Sequence, residues 1–202
     1  MLRQRIIDIS SELFQTFGLK TVSMDDIAKK VGISKRTLYE TFSSKDELLT
    51  MCLSEKERRQ AESLMQIIED KGNDFVDVIV KVLIHLSQEL RKVNPLFFQD
   101  LDRYNFRMAF EEQRSNTEGR KQSFMKLLNK GIEEGYIRSD IDLSLTVDLF
   151  MGRNPSLKSY FSSSSHRIEN VLENMYLIYF RGISTIKGIE RIDKIVETQK
   201  IK

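Results

Sequence analysis

Two short helical patterns separated by a glycine constrain this chain more than any other feature of its sequence. Ser23 precedes the first pattern, at residues 24–31, and Ser34 precedes the second, at residues 35–42. A serine before a helix can accept a hydrogen bond from a free backbone N–H group of the first turn. Gly32 lies between the patterns, where it can adopt the turn conformation. A short helix, a tight turn and a second short helix form the arrangement that supports a recognition helix in the major groove of DNA.

A further helical pattern precedes this pair, and a long one follows it. Apolar residues recur at helical spacing over residues 3–17, and Gly18 follows as a helix terminator. Ser44 and Glu47 have the spacing of a capping box and predict the start of a helix that continues to about residue 68. Residues 1–46 are therefore predicted to form a three-helix helix-turn-helix domain, which the long fourth helix joins to the remainder.

Residues 47–202 are predicted to form a second, helical domain. Apolar residues make up 40% of the chain and only 2 residues are proline, which favours a helix-rich fold over a disordered or turn-rich one. We therefore predict an all-α protein of about nine helices. After a turn at 71–73, the predicted helices lie at 74–93, in two or three segments of 96–134, at 143–160 with a break near Pro155, and from Ile168 to Ile186.

The sequence also limits the class and location of the protein. The longest apolar stretch, around residues 76–86, contains Lys81 and His85 and is too short to cross a bilayer. The N-terminal segment lacks the apolar core of a signal peptide. The single cysteine, Cys52, allows neither an intramolecular disulfide nor a thiolate zinc site. We expect a cytoplasmic protein without a membrane partner, a metal or a cofactor.

The net charge and the residue types bear on two possible functions, DNA binding and catalysis. The net charge is only +2, so attraction to DNA has to come from the local placement of basic residues. Two distant histidines, one cysteine and no glycine-rich phosphate loop provide no recognisable catalytic set, and we expect no enzyme.

The second short helix has two distinct sides. Leu38 and Phe42 fall on one side at about 100° per residue and can pack against the preceding helices. Arg36, Thr37 and Glu40 fall roughly opposite and should face DNA. The alternative is that Lys29, Lys30, Lys35 and Arg36 are only a solvated surface of a helical hairpin.

Three segments of the chain carry a family resemblance: TVSMDDIA at 21–28, GISKRTLY at 32–39 and FSSKDELL at 42–49. Together they resemble the signature of the TetR family of bacterial transcriptional regulators. In that family the matching third helix reads bases, and residues matching Ser23, Lys35, Thr37, Tyr39 and Lys45 commonly hold the DNA backbone. The predicted DNA-binding residues are therefore Ser23, Ser34, Lys35, Arg36, Thr37, Tyr39, Glu40, Thr41 and Lys45.

The sequence departs from the common family pattern on the reading face. Aromatic residues or histidine are frequent at the positions of Glu40 and Thr41, and glycine is frequent at the position of Arg36. We hypothesise that Arg36 reads guanine O6 and N7, and that Glu40 accepts from cytosine N4 or orients Arg36. Each such base contact is worth about 1–3 kcal/mol.

The resemblance implies that residues 47–202 are the effector-binding and dimerisation domain. It implies a homodimer formed through the last two long helices and a pocket for a small molecule among the middle ones. Independently, the final helical patterns carry more apolar surface than one core face needs, which fits a symmetric helical interface. The predicted interface residues are Val147, Phe150, Ile168, Leu172, Met175, Tyr179 and Ile183.

Aromatic density motivates the prediction of an apolar or aromatic effector. The predicted lining residues are His85, Phe97, Phe98, Leu101, Tyr104, Phe106, Phe110, Phe124, Phe150 and Met151. Aromatic residues at helical spacing are more often plain core, and a histidine between apolar neighbours more often satisfies a core partner. Cys52 on the long helix can be an oxidant sensor or an inert buried thiol.

The predicted function is that of a transcriptional repressor which leaves a near-palindromic DNA operator when the effector binds. The alternative is a helical dimer that keeps the helix-turn-helix domain but binds a protein instead of specific DNA. Salt-dependent DNA binding with a preferred palindrome separates the two.

Overall fold

The computed structural model describes residues 1–70, 72–103, 117–151 and 167–199. Within these ranges the regular secondary structure is helical, apart from an isolated antiparallel bridge between Ile137 and Ser184, and turns and loops connect the helices. The predicted all-α class is confirmed. The helices are α1 (Leu2–Phe17), α2 (Met24–Val31), α3 (Lys35–Thr41), α4 (Lys45–Glu69), α5 (Phe75–Arg91), α6 (Pro95–Arg103), α7 (Thr117–Glu133), α8 (Leu143–Met151), α9 (Ile168–Ile183) and α10 (Ile186–Gln199).

The chain divides into two compact units. The head unit comprises Met1–Ser63 and Lys92–Arg114, and the body unit comprises Leu64–Arg91 and Ser115–Lys202. The division predicted from sequence fell between residues 46 and 47, at the start of the long fourth helix. The head unit takes in residues beyond that boundary because the start of α4 and α6 share its core.

The core of the head unit joins the helix-turn-helix to α1. Ile27, Leu38 and Phe42 are fully buried, and they pack in one cluster with Phe14 and Leu48. Burying each such side chain stabilises the fold by about 1.5–3 kcal/mol. The scaffold predicted for the two short helices is thus present.

Helix α6 is fastened to the end of α1 within the head unit. Asn94, just before α6, donates its backbone N–H to the Gln15 carbonyl at 2.8 Å and its side-chain amide to the Thr16 carbonyl at 2.9 Å. The buried carboxylate of Asp100 accepts the Lys20 backbone N–H at 3.0 Å. These bonds satisfy backbone groups that the end of α1 leaves free.

The core of the body unit is built around α5, α7 and α9. Four of its side chains are at most 2% exposed and belong to one apolar cluster: Phe75, Leu128, Val147 and Phe180. The rings of Phe75 and Phe180 meet edge to face, with their centroids 6.2 Å apart. An aromatic core therefore holds α5 against α9.

The last predicted helix is two helices, which corrects the sequence prediction. Helix α9 ends at Ile183, and Ser184 is extended with φ −84° and ψ 154°. The Thr185 backbone N–H donates to the Tyr136 carbonyl at 2.9 Å, and the Arg138 N–H donates to the Ile183 carbonyl at 3.0 Å. Because these partners come from a distant part of the sequence, local periodicity did not reveal the break.

Other predicted boundaries agree with the structure where it can be compared. The predicted helix at 74–93 is observed as α5, and α6 begins at Pro95 as the proline indicated. The predicted break near Pro155 lies outside the described residues, and so do residues 104–116, within the stretch of 96–134 that was predicted to form two or three helices. None of the described helices is long and apolar enough to span a membrane.

Candidate nucleic-acid interface

The start of α2 is fixed by a reciprocal capping box. The Ser23 side chain accepts the Asp26 backbone N–H at 3.2 Å, and the Asp26 carboxylate accepts the Ser23 backbone N–H at 2.9 Å. The Ser23 hydroxyl also donates to that carboxylate. These hydrogen bonds from Ser23 lower the pKa of Asp26. Ser23 is predicted to contact DNA, and in the free protein it is the cap that orients α2.

The turn after α2 and the start of α3 have the geometry that the sequence predicted. Gly32 adopts the left-handed conformation, with φ 78° and ψ 41°. Ser34 caps α3 by accepting the Thr37 backbone N–H at 3.0 Å, and the Ser34 and Thr37 hydroxyls lie 2.8 Å apart. The Thr41 hydroxyl donates to the Thr37 carbonyl at 2.9 Å. These hydroxyl groups therefore make hydrogen bonds within α3 and its cap as well as being candidate DNA contacts.

The cap of α4 differs in one partner from the prediction. Ser44 accepts the Glu47 backbone N–H at 3.1 Å, as expected for the cap residue. The Glu47 carboxylate, however, accepts the backbone N–H of Ser43 at 2.7 Å and its hydroxyl at 2.6 Å. The hydrogen bonds from Ser43 lower the pKa of Glu47. The Glu47 carboxylate thus binds Ser43, which lies one residue before the partner that the sequence spacing indicated.

The two sides of α3 are separated as predicted. Leu38 is completely buried, whereas the side chains of Arg36 and Glu40 are 87% and 60% exposed. The Arg36 Nε donates to Glu40 Oε1 at 2.9 Å, which is an (i, i+4) ion pair along the exposed side. This side therefore presents one guanidinium group and one carboxylate group to solvent, the two groups proposed for base reading.

The border residues of α3 are also accessible. Tyr39 is 43% exposed, and Lys35 is exposed at the first position of the helix. The Lys35 Nζ lies 2.7 Å from Asp25 Oδ1, and this hydrogen bond raises the pKa of Lys35. A DNA phosphate that binds Lys35 would compete with the Asp25 carboxylate for the ammonium group.

Lys45 has a structural role that sequence reasoning missed. Its ammonium group donates to the Leu19 backbone carbonyl and lies 5.8 Å from the centre of the Phe14 ring. Burial lowers the pKa of Lys45. The side chain thus ties the start of α4 to the loop that precedes α2. A free backbone carbonyl after a glycine-terminated helix is the signal that could have pointed to such a donor.

The predicted effector-lining residues do not form one group. Phe97, Phe98 and Leu101 pack with the core of the head unit, and Phe97 is 4% exposed. Phe124, Phe150 and Met151 pack with the core of the body unit. His85 is half-buried on α5 in the body unit. Tyr104, Phe106 and Phe110 lie outside the described residues.

Within the body unit, aromatic rings of α7, α8 and α9 form a continuous cluster. Phe150 stacks on Phe124 with a centroid separation of 4.8 Å and lies 5.2 Å from Tyr176. Tyr176 in turn lies 5.8 Å from Phe180. Sequence reasoning included Phe124 and Phe150 in a binding region but missed Tyr176 and Phe180, because it placed α9 only at the dimer interface.

Most of the predicted dimer residues pack in the core of the body unit. Val147 is 1% exposed, so it belongs to the core of its own unit, against which Phe150, Tyr179 and Ile183 also pack. Leu172 and Met175 are half-buried. The side chain of Ile168 lies outside the described residues.

Three apolar side chains that were not predicted are prominent on the body unit. Leu145, Leu149 and Ile178 are 56%, 71% and 72% exposed. The apolar composition of α8 on both sides was the available signal for them, but it did not distinguish the inward side from the outward side.

Comparison with known proteins identifies a family domain near the start of the chain. Residues 6–52 match the family model for bacterial regulatory proteins of the tetR family. The chain is 25% identical to the transcriptional repressor KstR2 of Mycobacterium tuberculosis over 153 residues, covering 71% of this chain and 72% of the relative. It is 27% identical to the transcriptional regulator SrpR of Pseudomonas putida over 157 residues, covering 74% of this chain and 70% of the relative.

A solved structure extends the likeness of fold to almost the whole chain. The crystal structure of a gamma-butyrolactone receptor, described as ArpA-like, superposes with a TM-score of 0.63 at 16% identity. The match covers 98% of this chain and 95% of the receptor. The family model matches α2, α3 and their caps, and these form the exposed helix-turn-helix described above. The chain therefore carries a TetR-family DNA-binding domain at residues 6–52, and it is a DNA-binding transcriptional regulator.

Proposed function

We propose that this regulator is a homodimeric repressor that leaves a near-palindromic operator when a small molecule binds to its body unit. The observation that carries the DNA-binding part is the two-sided α3, which buries Leu38 and exposes Arg36, Tyr39 and Glu40. A recognition helix needs this separation, because one side must hold it in the domain while the other enters the major groove. Its place of action is the cytoplasm, where a bacterial operator is found.

The proposal of a homodimer is supported by the exposed apolar residues of α8 and α9. Leu145 and Leu149 lie one helical turn apart on α8, and Ile178 is exposed on α9. Large apolar side chains that are exposed as a patch on the surface often mark an interface. A two-fold dimer would place two copies of α3 about 34–36 Å apart, which matches half-sites one turn of DNA apart.

The proposal of effector control is supported by the aromatic cluster of the body unit and by the relatives. TetR-family regulators bind DNA as dimers and respond to small-molecule ligands, and the similar structure is named as a gamma-butyrolactone receptor. Rings contributed by α7, α8 and α9 supply apolar contact area for an apolar or aromatic ligand. The ligand would act by stabilising one arrangement of the dimer over another.

Selection of binding sites from random DNA with the full-length protein tests the function directly. We expect a near-palindrome whose affinity exceeds that of shuffled DNA about 10³-fold or more and falls steeply with salt. Transcription from a promoter that carries the selected site should fall when the protein is present. Uniform, sequence-independent binding would contradict the proposal and favour the protein-interaction module.

A further inference from the structure

A carboxylate buried in the body unit has one oxygen that accepts two hydrogen bonds and one oxygen that lacks a donor among the described residues. Glu173 on α9 is 2% exposed. Its Oε1 accepts the Ser87 hydroxyl and the Arg91 guanidinium, the latter at 3.1 Å. Its Oε2 is shielded from solvent and accepts no hydrogen bond from any group of the described residues. Buried carboxylate oxygens normally have donors, because losing water without gaining a partner is unfavourable.

Glu173 lies on the side of α9 that also carries two rings of the aromatic cluster. Tyr176 and Phe180 follow Glu173 at helical spacings of three and seven residues, so all three lie on one side of α9. Phe150 contacts both rings, with centroids 5.2 Å and 5.6 Å away. Burial raises the pKa of Tyr176 to about 12, which indicates a poorly hydrated surrounding. A polar acceptor among apolar rings is the composition of a small-molecule site.

We propose that Glu173 Oε2 is the acceptor for a hydrogen-bond donor, a neutral hydroxyl or N–H group, carried by an apolar effector that lies against Tyr176 and Phe180. This inference rests on the proposed function, because it assumes that the body unit binds an effector. It deepens that function by naming the chemical class of the ligand and the atom that recognises it.

The charges around Glu173 favour a neutral donor over an ion. The Arg91 guanidinium already balances the carboxylate at Oε1, so a cationic ligand would leave an excess positive charge beside a buried site. An anionic ligand would place its charge against the unpaired oxygen and be repelled. A neutral donor gives Oε2 a hydrogen bond without adding a positive or a negative charge to the site.

Paired fragments measure the preference directly on the full-length wild-type protein. Suitable donors are 4-phenylphenol, 2-naphthol and cyclohexylmethanol, each compared with its own methyl ether by isothermal titration calorimetry. We expect at least one donor to bind about tenfold more tightly than its ether, which corresponds to one buried hydrogen bond. Biphenyl-4-carboxylate should bind more weakly than 4-phenylphenol.

Substitution of the acceptor assigns that preference to Glu173. In Glu173→Gln, Ser87 and Arg91 are donors and hold the amide oxygen, so the amide NH₂ group faces the ligand. The preference of the phenol over its ether should then fall to about twofold or less, since the acceptor has been replaced by a donor. Glu190→Gln removes a carboxylate from the exposed surface of α10 and should leave the preference unchanged. Circular dichroism of each variant reports whether the fold is retained.

The wild-type comparison decides the proposal even if Glu173→Gln does not fold. If no donor is preferred over its ether, whether because nothing binds or because both bind equally, the proposal is overturned. A preference that persists in folded Glu173→Gln overturns it as well. Operator selection is measured separately, so a specific operator with no donor preference contradicts only this inference, whereas the absence of any operator contradicts the proposed function.

Discussion

The Nε atom of Arg36 lies 2.9 Å from Oε1 of Glu40, one turn further along the exposed side of α3. An exposed ion pair of this kind contributes only about 0–1 kcal/mol, so DNA can separate its partners at little cost. A bidentate contact between a guanidinium group and guanine contributes about 1–3 kcal/mol of base discrimination. The ion pair can therefore orient the Arg36 guanidinium group in the free protein and break when that group contacts a base.

Replacing Arg36 by alanine should relax base preference at one position of each half-site. We expect binding to the selected operator to weaken by about 1–3 kcal/mol per half-site, while affinity for shuffled DNA changes much less. Titrations with operators that carry single base-pair changes measure both effects. Arg58→Ala, which removes an exposed arginine paired with Glu55 and Glu62 on α4, is the matched control. An unchanged base preference in Arg36→Ala would refute the base-reading role.

Lys35 should behave differently, because it is predicted to bind a phosphate. In Lys35→Gln we expect weaker binding to operator and shuffled DNA alike, and a salt dependence reduced by about 0.9 per lost phosphate contact. Asp25→Asn removes the carboxylate that lies 2.7 Å from the Lys35 ammonium, so it should strengthen binding to both DNAs. Affinities measured over a series of salt concentrations test the pair. The two variants must change the affinity for DNA in opposite directions. A change in the same direction would contradict this interpretation.

The sequence predicted those parts of the fold that depend on local chemistry. Ser23, Gly32 and Ser34 were sufficient to place α2 and α3, because caps and turns are formed by residues only a few positions apart. The break after Ile183 was missed because the carbonyl of Tyr136 supplies its hydrogen bond from far away in the sequence. The assignment of Phe97 to the head core and the orientation of α8 likewise depend on tertiary packing, which periodicity does not contain.

Cys52 should be inert in the folded protein. Its side chain is 3% exposed, its Sγ donates to the Ile7 carbonyl at 3.5 Å, and burial raises its pKa to about 11. At neutral pH the reactive thiolate is then about one part in ten thousand. Mass spectrometry after mild peroxide or iodoacetamide should show no modification of Cys52 in the native protein, whereas iodoacetamide should alkylate Cys52 completely in the chain unfolded in guanidinium. Rapid modification of the native thiol, with release of DNA, would instead support an oxidant sensor.

The close approach of α10 to the loop after α7 should make Gly188 sensitive to substitution. A Cβ atom at this position would overlap the Tyr136 carbonyl oxygen and approach Ser184 Cβ to 3.0 Å. We expect Gly188→Ala to lower the free energy of unfolding of the body unit by about 1–3 kcal/mol, despite the better helix propensity of alanine. In Gly72→Ala the new Cβ meets only Asp70 Oδ1, at an ordinary 3.4 Å. Thermal unfolding of both variants tests the difference, and equal melting temperatures would show that the backbone adjusts.

The exposed side of α8 provides the test of the homodimer. Leu149 is 71% exposed, and burying it against a second copy would remove its apolar surface from water. In Leu149→Glu a charge would have to enter that interface, so we expect dissociation to monomers and loss of high-affinity operator binding. Ile186→Glu makes the same change at a 77% exposed residue of α10, outside the proposed interface, and should leave the dimer intact. Light scattering measures the mass of each variant in solution. Dimers of Leu149→Glu with unchanged affinity would place the interface elsewhere, because an unpaired carboxylate is not tolerated at the centre of a packed apolar contact.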